Sequence, residues 1–265
     1  MKVIDTTLGI DLRDPRSIES YWNDELIEAL YFGPKKVSAG MRDAALTSPT
    51  FAQSLARLRA LAASCPLASH CSSLMDGFAR DTGHALAHET LYLVLGCATT
   101  TIYTVTVDGT DVSVLCVESL DGSEQTLALY LAHEFTHYVR KDLLNKDIFE
   151  SCVGERLVTE GIAESYSADV VGGQATATYC IVDEATVSWV EAHYAELEAL
   201  VRTSLETTEL METLFYMYAR IDFPVRTGYV FGYLAVRRYL QEQGLRTKDI
   251  LGIDWRRVLR AQHEE

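Results

Sequence analysis

The sequence predicts an α+β protein, mostly helical, with a small antiparallel or mixed sheet placed just before a long central helix. Three observations carry this. Apolar residues recur at helical spacing over residues 17–31, 43–63 and 72–81, and again from residue 124 onward. Between these stretches, residues 90–118 are rich in β-branched and aromatic side chains. Asp108-Gly109 falls inside that interval, where it signals a tight hairpin turn.

Taken in order, Ser17 can cap the first helix, and Pro34 follows its end. The change of texture after residue 82 suggests a helical N-terminal region, 1–82, and a second domain, 83–265, that carries the chemistry. The first region could also complete the core of the second. Strands are expected at 90–95, 99–107 and 112–118, the last being the candidate edge strand. Asp121 with Glu124 resembles a capping box, and Gly122-Ser123 supplies the turn before it. Leu127, Leu131, Phe135 and Tyr138 then share one helical face, while Leu129 and Ala132 add apolar character elsewhere. That helix should be buried on most sides. A further helix spans Glu155 to Glu164 and breaks at Gly172-Gly173. Helices at 184–203, 207–219, 228–242 and 254–262 complete the chain.

Composition excludes several classes. Of 265 residues, 48% are hydrophobic and 23% charged, the balance of an ordinary globular protein with ample core material. The net charge of −15 argues against nucleic acid and anionic membranes as partners, since both require a positive surface. The first residues lack the basic start and apolar stretch of a secretory signal, and no run is apolar enough for a membrane span. A cytoplasmic protein is expected. The six cysteines carry no CxxC pair and read as reduced, mostly buried thiols.

The chemistry concentrates in His133-Glu134-Phe135-Thr136-His137, an H-E-x-x-H pattern. On a helix, residues four apart project from one face, so His133 and His137 can hold one metal ion between them. Glu134 lies beside the first ligand, where its carboxylate can take a proton from water. Two histidines and a glutamate on a buried helix also need polar partners, and a metal supplies one. Catalytic zinc usually takes three protein ligands, and Glu160 is the candidate third, with Glu155 as its competitor. Glu164, one turn beyond Glu160, could accept a hydrogen bond from a liganding imidazole. Near the C-terminus, Tyr229 and Tyr233 share a helical face, as do Gly228 and Gly232. Small residues at that spacing let a helix or ligand come close. Tyr229 and Arg226 are candidates to stabilise negative charge on a carbonyl oxygen, although tyrosines at this spacing also serve as core. His84 and His88 form a second pair four apart that lacks the glutamate, and they read as structural. His70, His193 and His263 stand alone.

HEFTH, followed after 22 residues by EGIAE, resembles the gluzincin metallopeptidases. More closely, it resembles a group of bacterial predicted zinc-dependent proteases known as a domain of unknown function. The GYVFGY segment is similar to one that this group carries after its glutamate. The resemblance covers residues 90–250. It implies a zincin-like domain, a Zn2+ cofactor, a peptide or protein substrate, and a metal-binding role for the glutamate preceding the glycine, here Glu160. It also implies that an edge strand beside the site binds an extended peptide. The expected activity is therefore zinc-dependent hydrolysis of a peptide bond with Glu134 as general base. A zinc-dependent hydrolase of a non-peptide amide or ester would use the same residues. A non-catalytic binding protein on a zincin scaffold is the third reading, against which the intact Glu134 argues. Oligomeric state is not legible.

Overall fold

The structure, a computed structural model, describes residues 1–86, 89–146, 148, 152–215 and 223–260. The chain divides into two compact units, Met1–Glu134 and Phe135–Glu265.

The first unit is built on a four-stranded sheet of order β1-β2-β4-β3. β1 (Lys2–Asp5) pairs in parallel with β2 (Thr90–Val94). β3 (Ile102–Val107) and β4 (Thr110–Cys116) form the expected hairpin, and β4 pairs in parallel with β2. Asp108 and Gly109 both adopt positive φ, 51° and 76°, the requirement of a two-residue type I′ turn. The expectation that residues 112–118 form an edge is overturned. Both sides of β4 are paired, so β1 and β3 are the edges. Burial of every residue from Val112 to Cys116 fits this internal position.

Between β1 and β2 run α1 (Pro15–Trp22), α2 (Glu25–Ile27), a π-helical turn at Glu28–Phe32, α3 (Gly33–Lys35), α4 (Ala39–Thr47), α5 (Pro49–Ser64) and α6 (Leu67–Thr82). The helix expected at 17–31 starts earlier, capped by Asp14 rather than Ser17, with Pro15 in its first turn. It is interrupted where Asp24 accepts a hydrogen bond from Leu26 N (2.9 Å) and begins α2. The helix expected at 43–63 splits at Ser48, whose hydroxyl caps α5 ahead of Pro49. Trp22 anchors this unit, its ring centroid 5.7 Å from Phe32 and 5.9 Å from Phe51, and its indole N–H donates to Leu95 O (2.9 Å). Glu118, just after β4, is buried, its carboxylate accepting from Gly96 N and Ala98 N, each at 2.9 Å.

α7 (Glu124–Leu144) is one continuous helix through the division between the units. Ser123, rather than Asp121, caps it. Ser123 Oγ accepts from Thr126 N (3.1 Å), while Asp121 accepts from Ser123 N (2.9 Å) and shapes the preceding turn.

In the second unit follow α8 (Val153–Val171), α9 (Thr176–Cys180), α10 (Glu184–Ala192), α11 (Tyr194–Arg202), α12 (Met211–Phe215), α13 (Thr227–Gln243) and α14 (Trp255–Arg260). The helix expected at 184–203 breaks at His193, whose ring stacks on Trp189 at 4.3 Å. Residues 216–219 and 261–262, expected to be helical, lie outside the described residues. From Val153 to Ser167, every residue of α8 except Arg156 is buried. α13 packs against α8 with almost no side chain between the backbones. A Cβ on Gly161 would collide with the carbonyl of Gly232, and one on Gly232 with the carbonyl of Leu157. The small residues of the GYVFGY segment thus admit a helix. Among the described residues, no helix is long and apolar enough to cross a membrane.

Candidate metal centre

α7 carries His133, Glu134 and His137, and α8 carries Glu160. His133, His137 and Glu160 each offer one ligand atom, and these atoms lie within 4.8 Å of one another. His137 Nε2 stands 3.4 Å from Glu160 Oε2. Bonds of about 2.0–2.1 Å to a tetrahedral zinc would separate two such donors by about 3.3–3.4 Å. Two imidazoles and one carboxylate at this spacing therefore fit zinc in both chemistry and scale. His137 and Glu160 are buried, so the donors would meet an ion with little competition from bulk water.

Glu134 is held from the sheet of its own unit. Its Oε1 accepts from Thr104 Oγ1 (2.9 Å) and from Ser113 Oγ (2.8 Å). Thr104 and Ser113 are register partners across the β3–β4 hairpin, so one cross-strand pair supplies both hydroxyls. Two donors on one oxygen fix the rotamer.

Glu155, the competitor for third ligand, is engaged elsewhere. Its Oε1 meets Arg140 (2.5 Å) and its Oε2 meets Lys146 Nζ (2.6 Å). Arg140 is fully buried and also donates to Thr159 Oγ1 (2.9 Å), Leu251 O (2.9 Å) and Ile253 O (3.0 Å). Burial pulls the guanidinium pKa down, and the Glu155 carboxylate opposes that shift. Glu155 thus ties α7 and α8 together within the second unit.

Glu160 Oε1 is paired with Arg156 (2.8 Å), one turn earlier on α8. Tyr229 is also buried; burial pushes its phenol pKa up and the Glu160 charge reinforces this, while Arg226 and Arg156 oppose it. Arg226 lies with its guanidinium 3.7 Å from the Tyr229 ring centroid and donates through Nε to Cys180 O (3.2 Å). Glu164 is fully buried. Burial raises its carboxyl pKa well above the usual range, Arg226 opposes this, and Glu160 adds to it.

The structure thus gathers His133, His137 and Glu160, sets Tyr229 and Glu164 next to Glu160, and turns Arg226 toward Tyr229 and Cys180. Thr104, Ser113 and Arg156 were missed by the sequence reading. Arg156 had a signal, since it stands four residues before Glu160 as an oppositely charged helical pair. Of the other histidines, His70 lies 3.6 Å from Glu124, and His84 follows α6 with its backbone N–H on Thr82 Oγ1 (3.4 Å). His88 and His263 lie outside the described residues. All six cysteines are free.

A family model described as predicted Zn-dependent protease (DUF2268) matches residues 99–260, more than half of the chain. The chain belongs to this family. The DUF2268 match includes β3, β4, α7, α8 and α13, and so spans every residue of the candidate centre. It leaves β1, β2 and the helices between them outside. No curated protein and no solved structure matched the chain.

Proposed function

We propose that this protein is a zinc-dependent peptidase in which His133, His137 and Glu160 hold the metal and Glu134 is the general base. The observation that carries the reading is the convergence of those three donors within 4.8 Å, two of them on the helix that also bears Glu134 and the third on α8. Zinc at such a site supplies Lewis acidity, polarising a carbonyl and acidifying water. Glu134, with Oε1 occupied by two hydroxyls, is oriented to receive a proton at Oε2 and then to deliver it to the leaving amine. Tyr229 is the candidate to donate a hydrogen bond to the developing oxyanion, and Arg226 lies over its ring. The substrate is a peptide or protein. Strand β3, at a sheet edge and contributing Thr104 to Glu134, is the edge best placed to bind it in extended form. The free cysteines fit a reducing cytoplasm as the place of action.

The test is Glu134→Gln. The variant should bind one zinc per chain as the parent does, while hydrolysis across a peptide library falls by roughly 10²–10⁴-fold. Small amides and esters screened alongside separate a peptidase from a hydrolase of other substrates. Near-parental turnover by Glu134→Gln would remove the general-base assignment, and absence of zinc uptake by the parent would remove the whole reading.

A further inference from the structure

The two oxygens of Glu160 face different partners. Oε2 stands 3.4 Å from His137 Nε2, while Oε1 is 2.8 Å from the Arg156 guanidinium. A carboxylate can bind a cation through one oxygen or both, and catalytic zinc requires a position left open beside three protein donors. A second oxygen from Glu160 would crowd that position as a fifth donor beside the water. We propose that Arg156 restrains Glu160 to coordination through Oε2 alone and so preserves the vacancy that substrate or water needs. This rests on the metal-binding reading above.

Three features make Arg156 suited to the task. It precedes Glu160 by four residues on α8, so the pair forms without any displacement of the backbone. A charge-assisted bond from a guanidinium to a buried carboxylate is among the stronger and more directional side-chain contacts. The Arg156 guanidinium also lies 5.7 Å from the Phe215 ring centroid, which flanks it on another side. Arg156 therefore acts through Glu160 as a positioning residue.

Cobalt(II) substitution reads the coordination number directly, because visible d–d bands are intense in four-coordinate sites and weaken when a fifth donor joins. Metal-free protein titrated with Co2+ should give the intense four-coordinate spectrum. Arg156→Met, which keeps an unbranched apolar stem but no donor, should lose band intensity toward the five-coordinate pattern. Arg156→Lys, which retains a charged donor, should keep the parental spectrum. Thermal melts of the metal-free variants verify folding, and Arg156→Leu replaces the methionine variant should that one not fold. An Arg156→Met spectrum identical to the parent's, or a parent already five-coordinate, overturns the proposal. Failure of the parent to take up Co2+ or Zn2+ is a different result, and it removes the metal-binding reading itself.

Discussion

A single carboxyl in the first unit sets an expected pH dependence of stability. Burial pushes Glu118 up to about 7 from an ordinary value of 4.5, although hydrogen bonds from Ala98 N and Gly96 N work in the opposite direction. Between those two values the folded chain binds more protons than the unfolded one, so stability is highest below the lower value and declines as pH rises through about 7. The shift corresponds to about 3 kcal/mol lost once the group ionises. Urea unfolding at pH 5 and pH 8 should show this difference, and Glu118→Gln should flatten it. A parental midpoint that does not fall between those pH values would contradict the assignment. At the same scale, His133 and His137 were legible because helical spacing puts them on one face, and Glu134 because the H-E-x-x-H pattern sets it beside the first of them. Glu160 was legible from its place before Gly161. The partners of Glu134 were only half legible. A two-residue turn at Asp108-Gly109 sets Thr104 opposite Ser113 by arithmetic, but nothing local says which sheet face looks toward α7.

At the scale of elements, α8 and α13 approach through Gly161 and Gly232. Glycine inside a helix costs about 1 kcal/mol relative to alanine, and the close contact between backbones offsets that cost. Gly161→Ala should therefore destabilise by about 3 kcal/mol, against the gain that propensity alone would give. Denaturant melts decide between these signs, and a stabilised variant would show that the helices separate without penalty. The existence and order of the central hairpin, α7, α8 and α13 could be read from periodicity. Their neighbours were misread where a short cap interrupts a pattern that otherwise continues. Ser48 and His193 each end one helix and start the next, Asn23 and Asp24 do so together between α1 and α2, and the apolar repeat runs through all of them. β1 was missed because four residues carry too little periodicity, and its partner lies far along the chain.

For the whole molecule, a bound ion should be felt as stability. A ligand that binds only the folded form at a hundred times its dissociation constant adds about 2.7 kcal/mol, which is about 5–10 °C in melting temperature for a chain of this length. Calorimetry with chelator and with excess zinc should show such a shift, absent in Glu160→Ala. Equal melting in both conditions would count against His133, His137 and Glu160 as ligands. The parallel pairing of β1 with β2 has a separate consequence for how this architecture can vary. The two strands are joined by an excursion from residue 6 to residue 89 that contains α1 to α6. The entropy of closing so long a loop grows only logarithmically, about 0.6 kcal/mol for each doubling. Whole helices could be inserted into or trimmed from that excursion at slight thermodynamic cost to strand pairing. The hairpin bearing Thr104 and Ser113 has no such latitude: one residue added to its two-residue turn would shift the register that brings both hydroxyls to Glu134.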